Sequence, residues 1–343
     1  MTGKTHTLRS TLLTTDLLLP LRLVAGWTYF SAFWRRLILA DKLNPDVAGY
    51  VGDKFNHFLP NALFIKPIIE YFVTHPEHLL IKLWIFTIVE AVVGLALILG
   101  FMTRLMGLIM SLLALGILLG AGWLGTTCLD EWQIGVLGIA AGFAFVFAGG
   151  GRFSLDYLLE TRRSSFVQHP VWSWFNFDWL QGRRQTIAIL TASVFAFSLT
   201  LFTNQVFHGG VWGTLHNKSV RPVVEVSHAQ ILPEGLEFTA YRVEGADVYG
   251  SFLIGVRILN AAGEAQLAWS AEDLASLPAE SISNRYVSQI KSGAHSLILP
   301  LGAKADIRLQ HPDLRMLAAG DYHVELLDIS GATWSAPITL STE

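Results

Sequence analysis

Three groups of residues are of the right type and spacing to carry chemistry. The sharpest is the stretch Gly122-Trp-Leu-Gly-Thr-Thr-Cys-Leu-Asp-Glu-Trp132, where Cys128, the only thiol of the chain, precedes the adjacent carboxylates Asp130 and Glu131. Hydroxyls and an indole at each end, Trp123 and Trp132, complete it. A cysteine reacts as its thiolate, so its reactivity turns on how far nearby cations outweigh repulsion by the two acids; the alternative is an inert small hydrophobe. In the second group, Arg22, Gly26, Tyr29, Phe33 and Arg36 follow steps of three and four and so share one helix face. Arg22 either snorkels to the headgroups or turns inward to pair with Glu90 of the next apolar segment, where a carboxylate needs a partner or a proton. An inward pair would be a structural brace, a proton path or a contact for a quinone headgroup. The third group is the cationic loop Arg35, Arg36, Lys42 and Lys54-Phe-Asn-His57, suited to headgroups or to a small oxyanion.

Apolar elements must position these groups. Of 343 residues, 52% are hydrophobic and 15% charged, against about 25% charged in a soluble domain. Mean hydropathy is +0.45. Five segments approach the roughly 20 residues that cross a bilayer: 17–39, 79–101, 105–123, 132–149 and 185–206. The first runs too long and carries an arginine, so it reads as a span and not as a cleaved signal peptide. Glycines such as Gly116, Gly120, Gly135, Gly138 and Gly142 let backbones approach, which predicts a compact four-helix bundle over 1–151 and leaves open a symmetric homo-oligomer.

Lys4, Arg9, Arg104, Arg152, Arg162, Arg163, Arg183 and Arg184 place the N-terminus in the cytoplasm by the positive-inside rule. Arg35, Arg36, Lys42, Lys54 and Lys66 break that rule, which reads as a sign that these cations have a task. Residues 152–184, with the aromatic stretch Trp172–Trp179, form a cytoplasmic linker lying partly in the membrane interface. Residues 185–206 are a fifth span, and 207–343 an external domain.

From residue 207 onward there are 9 Lys and Arg against 15 Asp and Glu, whereas residues 1–206 hold 15 against 12. Runs at Val223–Leu232, Leu236–Val243, Ser251–Leu259, His295–Pro300 and Tyr322–Ile329, parted by turn residues, predict a small antiparallel β-sandwich. A net charge of −3 argues against nucleic-acid binding. One cysteine excludes an internal disulfide, a paired-thiol centre and a four-cysteine cluster, and with them a disulfide-generating quinone reductase. The histidines of the tail lack ligand spacing, so no metal is expected, and no nucleotide-binding glycine motif is present.

Several stretches together resemble one family: Arg22-Leu-Val-Ala-Gly-Trp-Thr-Tyr-Phe, Trp34-Arg-Arg, Lys54-Phe-Asn-His-Phe-Leu-Pro, Gly100-Phe-Met-Thr-Arg-Leu and, above all, the cysteine loop. They resemble DoxD, a subunit of thiosulfate:quinone oxidoreductase within the DoxX-like four-helix membrane proteins. The tail, with Gly320-Asp-Tyr-His-Val-Glu-Leu-Leu-Asp-Ile-Ser-Gly, is similar to the partner subunit DoxA.

The resemblance implies a DoxD–DoxA fusion in the plasma (inner) membrane, with a periplasmic β-domain. It would oxidise two thiosulfate ions to tetrathionate and reduce a quinone of the ubiquinone, menaquinone or caldariellaquinone type, without metal or flavin. Cys128 would form a transient sulfur adduct, with Asp130, Glu131 and Glu90 handling protons. Arg22, Arg35, Arg36, Lys54 and His57 would hold the oxyanion, and Trp27, Tyr29, Trp123 and Trp132 would line the quinone. Direct reaction of thiosulfate with the quinone stays open. So do a non-enzymatic scaffold that recruits a partner through the β-domain, and a sulfur-anion transporter.

Overall fold

The computed structural model describes residues 15–47, 49–125, 130–177, 179–232, 235–247, 250–318 and 320–340. Cys128 therefore lies outside the described residues. The chain divides into two compact units. The first comprises 1–51, 80–122 and 129–216; the second comprises 52–79, 123–128 and 217–343. The loop after the first span and the start of the cysteine loop fall in the same compact unit as the β-domain.

The first unit is helical. α1 (Leu19–Phe33) continues into a five-residue π-helix (Trp34–Ile38). After α2 (Val51–Phe58) and α3 (Lys66–Thr74) of the second unit come α4 (Pro76–Leu99), α5 (Thr103–Ala121) and α6 (Asp130–Ala148). The short α7 (Leu155–Thr161) and α8 (Pro170–Phe175) precede α9 (Arg183–His208). α4, α5, α6 and α9 are each long and apolar enough to cross a membrane. α1 differs from expectation. Its 15 α-helical residues rise only about 22 Å before a five-residue π turn, and among the described residues it falls short of the length and hydropathy of the other four.

The bundle is drawn tight by glycine. A β-carbon on Gly94 would lie 2.6 Å from the Gly26 carbonyl oxygen and 2.8 Å from Phe30 Cα, so α4 meets α1 backbone to backbone. α5 and α6 meet in the same way at Gly107 and Gly142. Between them Ala25, Tyr29, Val93, Leu97, Met106, Met110 and Phe145 form the core. α9 packs by one stripe on α6 and the adjoining part of α5, with Ala196 and Leu199 against Ala114 and Leu118 of α5 and Ile139 of α6, and with Phe195 on Phe143. The rest of its surface, including Ile187, Leu190, Val194 and Phe197, is exposed, as a helix solvated by lipid requires.

The second unit is built on β1 (Val223–Leu232), β2 (Gly235–Glu244), β3 (Ser251–Asn260), β4 (Ala265–Trp269), β5 (Ile282–Asn284), β6 (Lys291–Ser292), β7 (Leu297–Leu299), β8 (Lys304–Leu309), β9 (Tyr322–Asp328) and β10 (Thr333–Leu340). Their order is β5-β8-β2-β1-β10-β9-β3-β7-β6, with β4 beside β3. All pairs are antiparallel except β1–β10, which is parallel, Gln230 opposite Thr339. The expected runs fall on β1, β2, β3, β7 and β9. β10 escaped because of Pro337, which suggests a break. It is tolerated because β10 meets β1 only at Thr339 and Leu340, so the missing N–H falls where that edge is unpaired. One apolar core, centred on Phe238, Leu253, Val256, Ile307, Val324 and Leu326, joins the strands.

Segment 52–79 has its own small core: Leu59, Ala62, Ile69 and Val73, with Tyr286 and Val287 of the β-domain packed on it. Asn56 locks it by donating to the Gly302 carbonyl and accepting from the Ser288 N–H.

Candidate functional site

The helix face read from the sequence exists. Arg22, Ala25, Gly26 and Tyr29 are buried on α1. Its two arginines, however, do different work. Glu90, 3% exposed in the middle of α4, pairs with Arg36 and not with Arg22. Arg36 sits in the π turn, with its guanidinium 5.5 Å from the Phe86 ring centre, and reaches back along α1 to the carboxylate. Tyr29 and Arg35 lie within electrostatic range of Glu90. The Tyr29 hydroxyl donates weakly to the Met110 carbonyl at 3.4 Å. One turn before Glu90 on the same face, the Thr87 hydroxyl is wholly buried and has no hydrogen-bond partner among the described residues.

Arg22 is engaged at the other end of α1. It donates to the Gly150 carbonyl and, at 2.6 Å, to the Phe153 carbonyl, with Gly100 packed against its guanidinium. The Arg22–Glu90 pair expected from sequence is therefore corrected: α1 is long enough to separate its ends, and Arg36 lies nearer. Close by, Asp156 of α7 accepts from the Thr103 N–H (2.9 Å), the Thr103 hydroxyl (2.7 Å) and the Met102 N–H (2.6 Å), and so caps α5. Burial holds the Asp156 carboxyl above the usual range against those three donors.

In the second unit, Lys54 pairs with Asp247 at 2.5 Å. His57 is 8% exposed, and its Nδ1 has no partner. Burial first, then the nearby Lys54 and Arg242, push its pKa down to about 4, with Asp247 opposing. Arg242 donates to the Leu299 carbonyl at 3.1 Å and the Ala246 carbonyl at 2.9 Å; burial lowers it to about 10, so it stays cationic at neutral pH. Arg242 and Asp247 were missed in the sequence. Arg242 was legible, because Leu236, Phe238, Ala240 and Arg242 alternate onto the buried face of β2.

Several of the cations expected to break the positive-inside rule have partners within the protein. Arg36 is neutralised by Glu90 and Lys54 by Asp247, and Lys66 donates to the Pro60 carbonyl at 3.1 Å. Arg35 is exposed and bonds the Ser31 carbonyl at 3.3 Å.

His57 makes the second unit acid-sensitive. The unfolded chain takes up a proton near pH 6.5 and the folded chain only near pH 4. Stability is therefore complete above the higher value and falls as pH drops between the two, by up to about 3 kcal/mol. Chemical denaturation of His57→Gln is expected to lack that part of the acid sensitivity; a slope equal to the wild type's would place the acid sensitivity elsewhere.

The other expected residues are dispersed. Trp123 is fully buried, donating from Nε1 to the Phe58 carbonyl at 3.2 Å, so it anchors the second unit and lines no open surface. Trp132 donates to the Thr203 hydroxyl at 3.0 Å and meets His208 edge to face. Asp130 and Glu131 occupy the first turn of α6, where the helix dipole favours them. Trp27 is 58% exposed on the outer face of α1, beside Phe30.

A bundle of apolar helices that buries a glutamate paired with an arginine, extended in the same chain by an antiparallel β-domain, is of membrane-protein type. Comparison with known families agrees. Residues 17–176 match the TQO small subunit DoxD family and residues 207–337 the TQO small subunit DoxA family. The chain belongs to these families as a DoxD–DoxA fusion. The DoxD match runs through α7 and α8.

Proposed function

We propose that this chain is a thiosulfate:quinone oxidoreductase, which joins two thiosulfate ions into tetrathionate and passes two electrons to a membrane quinone. The observation that carries the reading is the buried Glu90 carboxylate, paired with Arg36 and within electrostatic range of Tyr29, inside a DoxD-family chain. The residues fit a quinone. Its carbonyls need hydrogen-bond donors in an apolar setting, and the unpartnered Thr87 hydroxyl is such a donor, one turn from a carboxylate.

A quinone supplies the acceptor chemistry: it takes up two electrons and two protons. The chain has to deliver those protons, because joining two thiosulfates releases none. Glu90 holds and passes a proton at its carboxyl oxygen, and Arg36 fixes the orientation of that carboxyl. Arg35, whose guanidinium is exposed, binds the sulfonate oxygens. At Cys128, the thiolate and the outer sulfur of one thiosulfate form a sulfur–sulfur bond with release of two electrons. A second thiosulfate attacks the outer sulfur of the adduct, breaks the bond to Cys128, and leaves as tetrathionate with the thiolate restored. In this reading α1 with its π turn completes the bundle, α9 is the fifth span, and the β-domain is extracytoplasmic.

The test is reduction of a quinone analogue by the purified protein with thiosulfate as sole donor and tetrathionate quantified. Turnover is expected in the wild type and not in Cys128→Ala. Full turnover in that variant would leave direct reaction of thiosulfate with the quinone. Absence of turnover in both would overturn the enzyme reading.

A further inference from the structure

The segment between α6 and α9 carries features the proposed reaction does not use. Met102, Ser165, Phe166, His169, Val171, Trp172 and Phe175 enclose a cavity of about 580 Å³, within the range of small-molecule sites. Its walls are mostly apolar, with Phe101, Phe166 and Trp172 packed on one another behind it. The mouth is apolar too: Phe166 is 52% and Val171 48% exposed, and the neighbouring Trp174 is 70% exposed. The cavity lies at the ends of membrane-competent helices. Met102 precedes α5, and Gln185 at the start of α9 donates to Phe147 at the end of α6. Exposed aromatics at that level belong in the headgroup region.

The charge around it is one-sided. Arg162 and Arg163, both exposed, precede the lining residue Ser165, and Arg183 and Arg184 open α9. Over 156–184 the sequence sets these four against Asp156, Glu160 and Asp178, and Asp156 already accepts from Met102 and Thr103. Arginines in the first turn of a helix also oppose its dipole, which an anion at that position offsets.

We propose that this cavity binds an anionic phospholipid, one acyl chain entering between Phe166, Val171 and Trp172 and the phosphate meeting Arg162 and Arg163. Phosphate takes arginine donors in bidentate fashion, and basic pockets beside spanning helices select anionic headgroups. The segment thus lies in the membrane surface and holds a specific lipid there.

The test titrates the delipidated full-length protein in detergent with phosphatidylglycerol, using phosphatidylcholine as the neutral counterpart, and counts bound lipid by native mass spectrometry. Phosphatidylglycerol is expected to bind at least about tenfold more tightly. The Arg162→Gln/Arg163→Gln double variant is expected to lose that preference. Ser165→Trp, which fills the cavity, is expected to lose binding with its arginines intact. Equal binding of the two lipids, an undiminished preference in the arginine variant, or wild-type binding by Ser165→Trp would each overturn the proposal. Melting curves without lipid confirm that both variants fold.

Discussion

Glu90→Gln is expected to slow thiosulfate-dependent quinone reduction by about 100-fold or more, the usual scale of a lost proton donor or acceptor. Glutamine keeps the volume of glutamate and an oxygen for Arg36, so the bundle retains its packing and the melting curve stays close to the wild type's. What the substitution removes is a group able to carry a proton at the buried acidic position in the middle of α4. Arg36→Gln separates the two roles. It leaves the carboxyl in place but removes its orienting partner, so it lowers both turnover and stability; loss of one member of a buried pair costs about 3 kcal/mol. Wild-type kcat in Glu90→Gln, measured with saturating quinone analogue, would reduce the pair to a brace.

Gly94→Ala is expected to be among the most damaging single-methyl changes in the bundle. The new carbon would stand 2.6 Å from the Gly26 carbonyl oxygen and 2.8 Å from Phe30 Cα, both backbone atoms that no rotamer change can move. α1 and α4 must separate, at a cost of about 1–3 kcal/mol, and Gly94→Val exceeds it. Because Glu90 lies one turn from Gly94, the same displacement shifts the carboxyl relative to Arg36 and lowers turnover. Gly116→Ala is the control, since its β-carbon would meet nothing within 4 Å. Alanine is the better helix former, so Gly116→Ala is expected to melt at or above the wild type; a fall common to both variants would show that the loss at Gly94 is not specific to the α1–α4 contact.

Much of this protein was legible in its residues. Stretches without a single charged side chain identified three of the spans. Alternation identified β1, β2, β3, β7 and β9, because a strand with one buried face must repeat every second residue. β8 was equally legible, with Ala305, Ile307 and Leu309 inward and Lys304, Asp306 and Arg308 outward. The shared face of α1 followed from helical spacing alone.

What spacing could not decide was partnership between distant elements. Glu90 required a cation, and both Arg22 and Arg36 lay on the right face. Only the crossing of α1 and α4 at Gly26 and Gly94, with the π turn at Trp34–Ile38, settled that Arg36 reaches it. Likewise Lys54 read as an anion holder until Asp247 was placed beside it, 193 residues further along the chain. Trp123 read as a pocket wall until its indole was found buried against Phe58. Periodicity along one chain segment determines which residues turn inward, since it reflects local backbone geometry. Which inward residues meet depends on how closely two backbones pack, and that distance exists only in the tertiary structure.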